Sequence, residues 1–221
     1  MEAQAAAVED HLIDSLQFNL KPGASSSTAR HAVTFFPQGG NDYKPNGVRV
    51  NKIDLTSDQW LDPPTVKLFF TVKNNNETQA LRAKVPGGHV FFRGCKLLVS
   101  GQICEDIDNY NRTHQMFHLL TPGERRINDF IEGFGIDREA VQTLDHNELT
   151  KPRAVPANGQ ITIGFTLHLG LLRQNKYLPI RYCPIQIELE VVSRAVDALF
   201  CGSLVVGDTD KSDDFGLQDV Q

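Results

Sequence analysis

Apolar and polar residues alternate with a period of two over much of this chain. Residues 66–72 place Val66, Leu68, Phe70 and Val72 on one side and Lys67, Phe69 and Thr71 on the other, the pattern of a half-buried strand. Residues 161–169 repeat it, with Ile161, Ile163, Phe165, Leu167 and Leu169 against Thr162, Gly164, Thr166 and His168. Residues 185–191 do so again, with Ile185, Ile187, Leu189 and Val191 against Gln186, Glu188 and Glu190. A strand over 90–99 follows Pro86-Gly87-Gly88 and ends at Ser100-Gly101, which reads as a two-residue hairpin turn returning through residues 102–104. Residues 48–55 carry Val48, Val50, Ile53 and Leu55, and the phase slip between Val50 and Ile53 reads as a bulge. Shorter strands are expected at 32–36, stopped by Pro37, and at 204–206.

The period changes in the middle of the chain. Ile107, Tyr110, His114, Phe117 and Leu120 recur at three or four, which predicts a helix over 105–120. Thr121-Pro122 resembles the start of a second helix, running to Ile131 and stopped by Gly133. Residues 136–159 read as an exposed loop, and 171–176 as a helical turn before Leu178-Pro179-Ile180. Leu12, Ile13, Leu16 and Leu20 outline a short amphipathic helix in an N-terminal arm, residues 1–29, with 21–28 as its linker. Many short strands with turn signals and one helical insertion predict an all-β sandwich. Its core is expected over 30–207, with 208–221 as an acidic linker.

Composition narrows the function. Lys plus Arg number 22 and Asp plus Glu 27, a net charge of −5, so nothing supports direct grip on a phosphate backbone. The 13 Phe against one Trp suit the space between two packed sheets. The 4 cysteines, Cys95, Cys104, Cys183 and Cys201, form no C-x-x-C pair, and free thiols are expected. No apolar run is long enough to span a membrane, so no membrane insertion is expected, and residues 1–16 lack the pattern of a secretory leader.

Few constellations carry chemistry. His114 and His118 stand four apart, a spacing that can place two imidazoles on one metal or simply line a helix face. No third ligand is evident, and no metal or cofactor is expected. Glu105, Asp106 and Asp108 suit the positive end of a helix dipole, Asp108 can pair with Arg112, and Arg125-Arg126 is a small basic spot. Neither a phosphate loop nor a G-x-S-x-G elbow occurs, so an enzyme is not expected.

The run Phe91-Phe92-Arg93-Gly94-Cys95-Lys96-Leu97-Leu98-Val99-Ser100-Gly101-Gln102-Ile103-Cys104-Glu105-Asp106-Ile107 resembles a signature in the first domain of double jelly-roll major capsid proteins, as in polinton-like and related DNA viruses. Residues 108–117, Asn128-Asp129, Glu132-Gly133-Phe134-Gly135 and Pro45-Asn46-Gly47-Val48 extend the resemblance. The closing residues 215–221 resemble the linker strand that enters the second jelly roll. The resemblance spans residues 30–221 and is densest from 90 to 135. It implies an eight-stranded jelly-roll β-sandwich with a short helical insertion, and trimers of double domains forming pseudo-hexagonal capsomers. Partners would be further copies, a second jelly roll and other capsid proteins, and the location a virion, or else the host cytoplasm or nucleus. It brings no catalytic residues. Phe91, Phe92, Arg93, Asp106, Tyr110, Arg112, Phe117 and Phe134 are the residues expected to mark the fold or a subunit contact. A capsid protein of this kind has a second jelly roll, and this sequence stops where one would begin, as a truncated or cropped gene product would. Two further readings compete: a lectin-like or protein-binding sandwich using the 136–159 loop, and a hydrolase built around His114.

Overall fold

The computed structural model describes residues 29–122, except 79, 84 and 86, together with 154–201 and 215–221. The expected N-terminal arm, second helix, 136–159 loop, Arg125-Arg126 and 204–206 strand lie outside these residues, apart from a few at their margins.

In chain order the strands are β1 (Asp42–Tyr43), β2 (Val50–Leu55), β3 (Trp60–Leu61), β4 (Lys67–Asn74), β5 (Leu81–Ala83), β6 (Phe92–Val99) and β7 (Gln102–Ile107). Helix α1 (Tyr110–Leu120) follows, then β8 (Ala154–Val155), β9 (Gln160–Thr166), β10 (Leu178–Pro179) and β11 (Ile185–Val191). A single turn, α2 (Ala195–Ala198), precedes β12 (Leu199–Cys201) and β13 (Phe215–Gln218).

Two four-stranded antiparallel sheets carry the fold, in the orders β1-β13-β4-β9 and β2-β11-β6-β7. Along the chain these eight strands fall alternately in one sheet and the other, except where the Ser100-Gly101 hairpin keeps β6 and β7 together. That winding is a jelly roll, two interleaved Greek keys closed into a sandwich. The hairpin forms because Ser100 and Gly101 both adopt positive φ, 51° and 79°, which matches the twist of the flanking strands.

The core lies between the sheets. Leu68, Phe70 and Val72 of β4 with Ile163 and Phe165 of neighbouring β9 line one sheet, and Cys95 and Leu97 of β6 with Ile185, Ile187 and Leu189 of β11 line the other, all buried. Phe70 is the hub, with edge-on ring contacts to Phe91 at 5.7 Å, Phe92 at 5.3 Å and Phe165 at 6.2 Å. Such pairs add about 0.5–1.5 kcal/mol each beyond the area they bury. Buried Asn74 closes β4: its side chain donates to the carbonyls of Val155 and Pro156 at 3.2 and 3.0 Å and accepts from the Asn76 N–H at 2.9 Å.

Several expectations change. Residues 215–221 belong to the sandwich and not to a linker. Strand β13 pairs with β1 and β4, and its Phe215, Leu217 and following Val220 are buried. The backbones of Gln221 and Phe69 exchange hydrogen bonds at 2.8 and 2.9 Å. The domain therefore extends past residue 207. Residues 105–107 are strand, because pairing with β6 (Lys96↔Asp106) satisfies their backbone before the helix begins. Residues 88–91 form a 3-10 turn ahead of β6, and 32–36 are not a strand. No bulge breaks β2, whose register with β11 is continuous. Polar Asn51 takes the inward position instead, and Val50 faces solvent. The ladder shifts occur at Leu97/Leu98 and Glu190/Val191.

Candidate functional site

Helix α1 lies against β6 and the 3-10 turn Gly88–Phe91. It starts where the Asn109 carbonyl accepts the N–H and hydroxyl of Thr113, at 3.0 and 3.1 Å. It ends at Thr121, one residue before Pro122, which cannot continue a helix. Tyr110 and His114, four apart, share its inner face and are its buried residues. The Tyr110 hydroxyl accepts the N–H of His168 at 3.0 Å, tying the helix to the exit of β9.

Imidazoles from three parts of the chain meet beneath the helix. His89, on the 3-10 turn, stacks on His114 with centroids 4.2 Å apart. His168, after β9, meets His114 edge-on at 4.1 Å, and His118 lies 6.1 Å from His89. Phe117 stacks on His168 at 5.8 Å, and Phe165 meets His114 at 5.6 Å. His89 Nε2 donates to the Gln115 side-chain oxygen at 2.9 Å, and His114 Nε2 points at the Thr166 carbonyl at 3.4 Å. The guanidinium of Arg173 lies 2.8 and 3.0 Å from the two ring nitrogens of His168, Nδ1 and Nε2, so a fixed cation rests against this ring. His114 Nδ1 is buried with no hydrogen-bond partner among the described residues.

Burial sets the protonation state. It is the main cause that lowers His89 to about 4, with His118 and His168 adding to it against the opposing bond to Gln115. His114 falls to about 2 through burial and then the neighbouring His89 and His168. His168 falls to about 4 through burial and then Arg173. All three rings are neutral at pH 7. Burial, then Glu105 and Asp106, push the Cys95 thiol up to about 12, which removes it as a nucleophile.

This arrangement does not gather metal ligands. Among the described residues no group of three or more His, Cys, Asp or Glu converges on a point. Stacking turns the faces of His89 and His114 toward each other, and the Nε2 atoms of both rings are directed to Gln115 and Thr166.

The residues singled out in the sequence separate into two groups. Phe91, Phe92 and Tyr110 are fully buried within this chain, so they build its core and leave no surface for a partner. Arg93, Arg112 and Phe117 are exposed, and exposed Asp106 pairs with Lys96 across the β6–β7 ladder at 2.9 Å. Phe134 lies outside the described residues. Glu105 serves a different turn from the one expected. Its carboxylate accepts the N–H groups of Gly170 and Leu171, both at 2.8 Å. Asp108 and Arg112 do not form the ion pair their spacing allowed. Sequence reasoning singled out His114 and His118 but missed His89 and His168. His168 falls on the polar side of a clean alternation, where nothing local says that a helix will cover it.

The outer face of α1 is apolar and exposed, with Met116 at 68%, Phe117 at 52%, Leu119 at 59% and Leu120 at 80% of their free accessibility.

No family model matches the chain, and no curated protein matches it by sequence. Among solved structures, the chain is similar to a chain of the "PBCV-1 virus capsid, quasi-atomic model", at 12% identity and a TM-score of 0.38. The match covers 89% of this chain and 44% of the other, so this chain spans less than half of that capsid chain's length.

Proposed function

We propose that this chain is a structural building block of a viral-type protein shell: one jelly-roll unit of a double jelly-roll capsid protein. The observation that carries the reading is the apolar face of α1. A jelly roll that buries its own core still exposes Met116, Phe117, Leu119 and Leu120 side by side on one helix. Exposed apolar surface of this kind marks a contact surface, here for neighbouring subunits. The resemblance of residues 90–135 to the capsid signature supports the same reading. In finer detail, the unit pairs with a second jelly roll, trimers of such pairs form pseudo-hexagonal capsomers, and the location is the virion. Arg93, Arg112 and Phe117 are the contact residues proposed from the signature.

The test is sedimentation velocity on the chain, and on the product of its complete reading frame, over a wide concentration range. Trimers are expected, and Met116→Asp with Leu120→Asp weakens their association at least tenfold with an unchanged unfolding midpoint. A monomer at every concentration in both forms, or association indifferent to the two substitutions, overturns the reading.

A further inference from the structure

We propose that α1 is an acid-labile latch: protonation of the His89–His114–His168 stack releases the helix from the sandwich while the two sheets stay folded. The latch belongs to the single chain and does not depend on the assembly proposed above.

The argument begins with what surrounds the three rings. The turn Gly88–Phe91 contributes His89, and Cys95, the titratable group that β6 buries in the core, is neutral. The exit of β9 contributes His168, and the following 3-10 turn adds Arg173, a fixed cation. From β7, Glu105 spends its carboxylate on the backbone of Gly170 and Leu171, and Asp106 pairs with Lys96. Helix α1 itself supplies His118 and neutral Gln115, while Arg112 points to solvent. No carboxylate among the described residues acts on His89, His114 or His168. The charges that do act on them are all basic groups.

A proton added to this stack therefore meets no counter-charge among the described residues. His89 and His114 are only 2% and 3% exposed, so an imidazolium there loses its hydration. Two imidazoliums stacked at 4.2 Å also repel. A proton on His114 Nδ1 sits on an atom without a partner. Protonation of His168 sets two cations against each other. The costs of lost hydration, of stacked charges and of the unpartnered His114 nitrogen are relieved by one movement, the lifting of α1, which gives the rings to water.

The sheets have no such weakness. Phe70, Phe91, Phe92 and Phe165 carry no titratable group, and the β11 ladders with β2 and β6 are closed by backbone hydrogen bonds.

The sign follows from the depressed values. Above pH 6.5 the rings are neutral whether the helix is docked or open, and the latch is at full strength. As the pH falls below 6.5 the open state takes up protons first, and docking weakens until the folded-state values near 4 are reached. For His89 alone, opening should rise about thirtyfold between pH 7.5 and pH 5.

Hydrogen exchange of the full chain, corrected for the intrinsic rate at each pH, tests this directly. Protection of amides 110–120 should fall at least thirtyfold from pH 7.5 to 5, with protection of β11 retained. A parallel NMR titration of the imidazole protons should show transitions well below 6.5. The latch is refuted if α1 keeps its protection at pH 5, or if α1 and β11 lose protection together. Imidazoles that titrate at 6.5 with the helix amides still protected refute it too. His89→Gln with His114→Gln should remove most of the pH dependence, leaving the share of half-buried His168. Should that pair fail to fold, His168→Asn, at a half-buried position, should reduce the dependence, and an unchanged profile in it also overturns the proposal.

Discussion

The ring cluster around Phe70 and the imidazole stack under α1 touch each other through Phe165, which lies 6.2 Å from Phe70 and 5.6 Å from His114. Both bury flat rings of similar size, yet they hold the chain in different ways. Benzene rings contribute area and edge-to-face packing, which no change of pH alters. Imidazoles contribute comparable packing, together with a demand that two nitrogens be satisfied and that the ring stay neutral. The first region is a permanent core. The second is a core only while protons are scarce. A jelly roll can thus carry a conditional element on an unconditional frame, and chemistry separates the two even where burial matches, as at Phe91 and His89.

Three substitutions or conditions break or sharpen this contrast. The largest effect is expected from Phe70→Ala, which empties the centre of the ring cluster and should cost about 3–5 kcal/mol in urea unfolding. That cost should be equal at pH 7.5 and pH 5.5. A pH-dependent cost would mean that the two regions are not chemically separate. Next is acid itself. Moving the unaltered chain from pH 7.5 to pH 5 should remove about 2 kcal/mol through His89 alone, with a smaller addition from half-buried His168. In equilibrium unfolding at the two pH values, His89→Gln should shrink this loss and Phe70→Ala should leave it unchanged. The smallest is a gain. Asn51 is 1% exposed on the inner face of β2, and neither polar atom of its side chain has a partner among the described residues. Asn51→Leu keeps the branched shape of the side chain and removes that penalty, and should raise stability by about 1 kcal/mol at every pH. A loss in its place would show that Asn51 is satisfied after all.

Alternation was the most legible feature of the sequence. Strands β4, β9 and β11 lie where Phe70, Phe165 and Ile187 fall on the apolar side of a period of two, because a half-buried strand imposes that period locally. The Ser100-Gly101 turn and the helical turn at Leu171 were equally readable, since two or three residues set their backbone angles. Asn51 misled the reading, because a polar residue on the core face imitates a change of phase. Of the site, Tyr110, His114 and Phe117 were visible through their helical spacing. The burial of Tyr110 and the half-exposure of Phe117 were not, because spacing gives a helix its faces but not how far along a face the sandwich reaches.

By itself, then, the sequence determined the all-β class, the strongest strands, the helical insertion and its residue spacing, all of which depend on neighbours a few positions apart. Tertiary structure alone decided that residues 215–218 complete a sheet by pairing with β1 and β4, more than a hundred residues earlier in the chain. It alone decided that His89, His114 and His168 share one dry interface. The physical reason is common to both. A ladder partner and a buried neighbour are fixed by which surfaces the folded sandwich brings together, and a pattern read along the chain carries no record of what will lie across from it.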